Sequence, residues 1–396
     1  MVDDEKTSRP LPQLSAVTVL AISAAAGLAP LNSTMIAVAL PEIADEFDIA
    51  TGRVSILITA YLLVMLVGQP LAGRISDLVG NRRALAIALV GMALCSVWAS
   101  FAPTFAMLVT ARLSQAVFAS ALTPSVQSLL RAMSGPNEQG RTFGILGSAM
   151  GVGSALGPVI AGVLIEVFGW QAIFLINVPI VAGALVALAR VDAREVHHDL
   201  VDEDDAIDNN KIRNWIFSVC YSIQTMTSLA QFALLILVPI MLNARGWEAA
   251  PIGLTMSALT IGTIIMGPPG GRAGDARGRR WPSLIGLSAA LAAMSVLLLG
   301  GATINPFALA VGLAAFGIGV GFTTPNLLSA ALNSTPRNRA GTAAGIFSTS
   351  RYLGSVTSSI AVSIWVTDDA SGSRPILGMA TVAMVIAVVV ARGLPT

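Results

Sequence analysis

The 396-residue sequence predicts an all-α polytopic membrane protein, with twelve transmembrane helices in two parallel six-helix bundles. Three observations lead there. First, 55% of the residues are hydrophobic and 11% are charged, whereas soluble domains carry about 25% charged residues. Second, apolar runs long enough to cross a bilayer recur along the whole chain. Third, Gly73-Arg-Ile-Ser-Asp77-Leu-Val-Gly80-Asn-Arg82-Arg83 returns as Gly271-Arg-Ala-Gly-Asp275-Ala-Arg-Gly278-Arg-Arg280, 198 residues later and half a chain away. Both share the pattern G-R-x-x-D-x-x-G-x-R, so the chain reads as two copies of one unit. Six spans separate the copies, which gives them the same orientation in the bilayer.

Taken in order, residues 1–13 are polar, and the first apolar run, 14–40, is too long for a signal-peptide core. The predicted spans are 14–40, 54–73, 84–101, 105–131, 142–166, 171–190, 214–243, 251–270, 282–302, 306–332, 341–366 and 375–392. They are read as helices because lipid offers no partner for backbone groups and no barrel-type alternation is present. Of the 23 Lys and Arg, 18 fall in the tails and the loops on one side and three, Arg53, Arg245 and Arg374, on the other. Basic residues stay on the cytoplasmic side, so both termini are expected there, in a multi-pass protein of the cell (inner or plasma) membrane. Residues 191–213, rich in Asp and Glu and holding His197 and His198, read as a solvated tether. It divides a bundle at 1–190 from one at 214–396. Cys95 and Cys220 lie in apolar runs and read as small buried side chains, not as a disulfide or a metal pair.

The repeat continues at an offset of 201: Pro124 with Pro325, Gly144-Ile145 with Gly345-Ile346, and Gly153 with Gly354. Within the charged turn, Asp77 is a lone acid among arginines. It has two candidate partners, Arg82 or Arg83 and the positive N-terminus of a neighbouring helix. Gly73 and Gly80 allow close approach and a tight turn. Gly73, Asp77, Gly80, Arg82, Arg83 and Asp275 are therefore candidates for a latch that forms when the two bundles close on the cytoplasmic side. In span five, Gly147/Gly151 and Gly153/Gly157 are GxxxG pairs that let helix backbones approach, and Pro158 removes a backbone donor.

Arg112 and Arg351 lie within spans. A mid-span arginine costs about 2.5–3.5 kcal/mol on insertion scales and so normally faces a cavity or a partner. Gln115, Ala119 and Thr123 extend a small, polar face from Arg112. Gln224, Ser228 and Gln231 do so in span seven, and Asn326 stands beside Pro325 in span ten.

Several segments also resemble the major facilitator superfamily, and within it the drug:proton antiporter families, over almost the entire chain. Gly73 to Arg83 resembles the superfamily's cytoplasmic loop signature. Arg112-Leu-Ser-Gln115-Ala-Val-Phe-Ala119 resembles the span-four motif, with Ala116 where glycine is usual. Gly144, Gly153, Gly157, Pro158 and Gly162 resemble the span-five antiporter motif, with Ala161 in place of a glycine. Gly169-Trp170 through Phe174, Asn177 and Pro179 resembles the G-W-R-W-x-F-x-I-N-x-P segment, departing at Gln171 and Ala172. Asn32-Ser-Thr34-Met-Ile-Ala37-Val-Ala-Leu40-Pro41 resembles the span-one D-x-T-x-x-N-x-A-L-P, with asparagine in place of an aspartate that the resemblance implies in proton coupling.

These readings imply a secondary active transporter working by alternating access, an exporter of drugs or small amphipathic metabolites. Its substrate/coupling cavity would include Asn32, Thr34, Arg112, Gln115, Gln224, Gln231, Asn326 and Arg351. No carboxylate lies deep in a predicted span; Glu166, at the outer end of span five, comes nearest. A proton-independent facilitator and an exporter of an anionic amphiphile are the alternatives, and a non-transporting receptor is a third. The expected partners are a small molecule, the lipid bilayer and, as candidate coupling ion, the proton. Nucleic acid, cofactor and metal are not expected, and the chain reads as a monomer. No nucleotide-binding motif or enzyme active-site pattern is present.

Overall fold

The computed structural model describes residues 16–49, 51–54, 56–135, 138–190, 210–247, 249–365 and 373–395. Most of the acidic tether, with His197 and His198, lies outside the described residues, as does the N-terminal tail. Twelve long helices carry the described fold: α1 Ala16–Glu46, α2 Ile56–Val79, α3 Asn81–Ser100, α4 Phe105–Met133, α5 Gln139–Phe168 and α6 Asn177–Ala189 in the first half, then α7 Asn210–Asn243, α8 Ala249–Arg277, α9 Arg280–Gly300, α10 Pro306–Asn333, α11 Ala340–Trp365 and α12 Ser373–Ala391 in the second. Short helical turns at Thr51–Val54, Ala172–Leu175, Gly301–Thr303 and Arg337–Arg339 connect some of them. Each of the twelve matches one predicted span.

Among the described residues, eleven segments are long and apolar enough to cross a membrane, α6 together with the turn before it counting as one. The twelfth long helix, α11, has the length but carries Arg351 and many serines and threonines. Its Ser348, Ser350, Ser355 and Ser358 are buried, because α11 packs against α7, α2 and α4. Leucines and valines that face away from the bundles, such as Leu63, Val67, Val163, Leu254 and Leu299, are exposed. On a chain this apolar, that surface is the one lipid covers.

The charged repeat is not a loop along its whole length. α2 continues through Asp77 to Val79 and α8 through Asp275 to Arg277. The reversals come at Gly80 (φ 91°) and Gly278 (φ 76°), where a left-handed backbone favours glycine. The predicted ends of spans two and eight, 73 and 270, are therefore too early. Charge ends an apolar run in the sequence, whereas the helix goes on until its backbone reverses. Two helix starts follow capping chemistry: Thr104 Oγ1 accepts from Met107 N at α4, and Asn305 Oδ1 from Phe307 N at α10, where Pro306 opens the helix.

Each half has its own inner seams, among them α1 on α5 and α3 on α4 in the first, and α8 on α10 and α7 on α11 in the second. The halves meet chiefly along two equivalent seams, α2 against α11 and α5 against α8.

Candidate functional site

The two repeated aspartates end on those seams. Gly341 N donates to Asp77 Oδ1 at 2.6 Å, and Thr342 N and Thr342 Oγ1 donate to Asp77 Oδ2 at 2.7 and 2.6 Å. These donors open α11, where the first backbone N–H groups of a helix have no partner inside it and the dipole is positive. Asp275 does the same in the other seam. Gly140 N and Arg141 N, at the start of α5, donate to its two oxygens at 2.8 and 2.9 Å. Arg279 Nη2 adds an ion pair at 3.6 Å. Gly140 and Gly341 are themselves 201 residues apart, so donor and acceptor both belong to the repeat.

Glycine makes this approach possible. A Cβ at Gly73 would collide with the Gly341 carbonyl, and one at Gly144 with the backbone of Gly267 and Pro268. The contact between halves is reinforced by Ser148 Oγ donating to Ile264 O at 2.6 Å, Arg131 Nη2 to Thr335 O at 2.8 Å and Ser329 Oγ to Gln139 Oε1 at 3.3 Å. These bonds cluster toward the end of the molecule that holds Asp77 and Asp275, which is therefore closed. Arg82 and Arg83 are not partners of Asp77; the helix N-terminus takes that place.

The span-five glycines divide between two neighbours. Gly140, Gly144 and Gly151 face α8 across the halves, while Gly153 and Gly157 face Gly27 and Thr34 of α1 within the first half. Gly147 and Gly162 have open space at the Cβ position. α5 runs through Pro158 unbroken.

Arg112 departs from the expected cavity position. It is 1% exposed and sits inside the first bundle. Nη1 donates to Gln115 Oε1 and Nη2 to the Asn32 carbonyl at 3.0 Å, while Cζ lies 4.2 Å from the Tyr61 ring centroid. Asn32 and Asn177 exchange amide hydrogen bonds at 2.7 and 2.9 Å, and Ser96 Oγ accepts from both Asn177 and Gln115. Helical spacing groups Arg112 and Gln115 on one face, but it is the packing of α1, α3 and α6 around that face that makes it an interior. Desolvation of the guanidinium is offset here by dipoles and a ring, with no carboxylate among its contacts.

Asn326 is likewise buried. Its Nδ2 donates to the Gly270 and Phe322 carbonyls at 3.1 and 2.9 Å and ties α10 to α8. Gln224 is buried and its Nε2 donates to Ser228 Oγ, while Gln231 is half-buried. Thr34 Oγ1 bonds back to Pro30 and Leu31 carbonyls of its own helix. Arg351 is half-buried, with Cζ 5.5 Å from the Tyr352 ring. The predicted cavity set thus divides into three places: a network in the first half (Asn32, Arg112, Gln115), buried groups in the second (Gln224, Asn326), and half-buried groups (Thr34, Gln231, Arg351) that remain accessible. Glu166 is exposed at the far end of α5.

The sequence reading did not single out Tyr61, Ser96 or the latch donors Gly140 and Gly341. The register of the repeat is the signal that could have found the donors: an acid repeated at 198 and a glycine repeated at 201 are the two sides of one contact. Among the described residues, no group of three or more His, Cys, Asp or Glu is placed to hold a metal.

The chain is similar to known proteins. The family description Major Facilitator Superfamily matches residues 22–359 and 220–395. An uncharacterized MFS-type transporter of Bacillus subtilis, YvkA, is 26% identical over 85% of this chain and 87% of its own. The multidrug efflux pump LfrA of Mycolicibacterium smegmatis is 37% identical over 40% of this chain and 32% of its own. The crystal structure of the human organic anion transporter MFSD10 superposes with a TM-score of 0.76 at 13% identity, covering 96% of this chain and 100% of that one. With a family match that runs through both halves, the chain belongs to the Major Facilitator Superfamily.

Proposed function

We propose that this protein exports small amphipathic compounds, drugs or metabolites, across the cell membrane by alternating access. The observation that carries the reading is the pair of acid-to-helix contacts. Asp77 and Asp275 each clamp the first turn of a helix in the opposite half, at the same end of the molecule. Contacts of this type exist only while the halves are together at that end, so they bias one of two states. The arginine-rich side is the cytoplasmic one, with both termini there, and the described state is closed toward the cytoplasm. Residues 1–190 and 214–396 are the two moving bundles, and the 191–213 segment is their tether. Similarity to LfrA favours efflux over uptake. The chain acts as a monomeric carrier and not as an enzyme.

The coupling reading follows from the first-half network. Asn32 holds Asn177 and Arg112 through amide and carbonyl groups, none of which cycles a proton near neutral pH. Transport is therefore weakly coupled to protons or not at all, and the charge of the substrate contributes to the driving force.

Reconstitution tests the whole reading. Purified protein in proteoliposomes is expected to move fluorescent amphiphiles in a saturable manner, with similar rates with and without a pH gradient. Loss of saturable flux for every probe, from protein that is correctly inserted, would refute the export reading.

A further inference from the structure

Two guanidinium groups lie within the helical core, and no carboxylate lies near the middle of any described helix. Arg112 is met by dipoles and by the Tyr61 and Phe174 rings. Arg351 is more exposed and less satisfied. It stands near the middle of the 26-residue α11, about 16 Å from the start of that helix. Among the described residues its guanidinium makes no hydrogen bond and no ion pair, and its one contact of note is the Tyr352 ring. A guanidinium at this depth facing lipid would carry the full insertion penalty, so an arginine inside a span faces the bundle interior or a water-filled cavity.

The Tyr61 hydroxyl is a second, independent feature. Tyr61 is 1% exposed, and its Oη has no hydrogen-bond partner. A buried hydroxyl without a partner costs about 1–3 kcal/mol, and such a group in a native fold calls for an explanation. Gly73 meets Gly341 and Gln69 meets Gly345 across the seam, an antiparallel register that brings Tyr61, on α2, level with Tyr352, on α11. The order Arg112, Tyr61, Tyr352, Arg351 therefore crosses from one half of the molecule to the other. It presents positive charge, a free fork of N–H donors from Arg351 and an idle hydroxyl, with no acid to answer them.

The geometry points to an organic anion as cargo, an amphiphile with a carboxylate or sulfonate head held by Arg351 and Tyr61 Oη. The inference deepens the export reading and rests on it for the direction of movement. A planar fork matches a carboxylate or sulfonate with two parallel hydrogen bonds. Charge-assisted bonds of this kind also supply what Arg351 and Tyr61 lack. Arg112 adds positive potential behind Tyr61 without touching the ligand, which raises the local concentration of anions and repels cations. Contacts from both α2 and α11 place the head on the seam between halves, where binding is sensitive to which state is occupied.

The test compares two fluorescent xanthenes of similar size and opposite charge, carboxyfluorescein and rhodamine 123. Binding is measured on the detergent-purified full chain, and flux in proteoliposomes. The wild-type protein is expected to bind carboxyfluorescein saturably and at least tenfold more tightly than rhodamine 123. Arg351→Gln is expected to weaken carboxyfluorescein binding about tenfold or more and to leave rhodamine 123 unchanged or improved, with Arg351→Lys intermediate. Tyr61→Phe removes a hydroxyl that bonds to nothing in the fold, so a several-fold loss of carboxyfluorescein binding with unchanged or raised thermal stability marks a ligand contact. Preference for rhodamine 123, absence of carboxyfluorescein binding, or binding that is indifferent to both Arg351→Gln and Tyr61→Phe would overturn the anion site. Rhodamine 123 flux with no carboxyfluorescein binding refutes the anion site and leaves export standing. Anion binding without flux supports the anion site and refutes export.

Discussion

The Asp77 carboxylate takes three donors, two of them backbone N–H groups and one the Thr342 hydroxyl, while Asp275 takes two backbone donors and the Arg279 guanidinium. Both satisfy a helix start, but the first does so without a counter-charge. Replacing Asp77 by asparagine keeps the shape and sets an NH2 group against a donor. Hydrogen bonds to charged groups contribute about 1.5–3 kcal/mol, so Asp77→Asn is expected to shift the closed-to-open ratio about tenfold or more toward opening. Thr342→Val, which removes one of three donors and keeps the carboxylate with its two backbone N–H partners, should shift it less. Ser329, fully buried between the halves at this end, supplies the reporter: maleimide labelling of Ser329→Cys should rise strongly in Asp77→Asn and modestly in Thr342→Val. Unchanged labelling and unchanged flux in both would mean that the contacts do not control opening. The native Cys95 and Cys220 are buried and keep the background low.

At the scale of the helix, α5 serves two seams from different faces. Its first turns meet α8 at Gly140, Gly144 and Gly151; farther along, Gly153 and Gly157 meet α1. The first contact must break in a transport cycle and the second need not, since α1 and α5 belong to the same half. Small residues serve both because membrane helices associate through close packing and not through water exclusion. The two sets therefore differ in what a methyl group does. Gly144→Ala places a Cβ against the backbone of Gly267 and Pro268, which cannot yield as a side chain does. It is expected to hold the halves apart, raise Ser329→Cys labelling and slow flux, with little change in thermal stability of the separate bundles. Gly153→Ala meets the Gly27 carbonyl and should instead lower the melting temperature by several degrees while leaving Ser329→Cys protected. The same labelling pattern in both variants would show that the α1 and α8 faces of α5 are not mechanically distinct.

Over the whole molecule, the helices were legible because lipid imposes one requirement, a long apolar run, and eleven of the twelve long helices meet it among the described residues. The doubled fold was legible because Gly73, Asp77 and Gly80 recur with Gly271, Asp275 and Gly278 in register. Which groups lie inside a half, and which line the space between halves, was not. Arg112, Gln115 and Asn326 satisfy the spacing of a cavity face, but spacing states which residues share a face and not which helix covers it. Asn177 covers Asn32 from 145 residues away, beyond the reach of any local pattern. That long-range pair also governs coupling. A proton-driven cycle needs a group that changes charge as the halves exchange states, and the Asn32–Asn177–Arg112 network offers none. Asn32→Asp would introduce one beside a guanidinium that already contacts the Asn32 carbonyl and reaches Gln115. The variant is expected to acquire flux that depends on the pH gradient, with substrate-dependent proton counterflow detected by a dye inside the vesicles, where the unmodified protein shows little. Robust counterflow by the unmodified protein, abolished by Glu166→Gln, would instead assign the proton site to the exposed end of α5 and overturn the uncoupled reading.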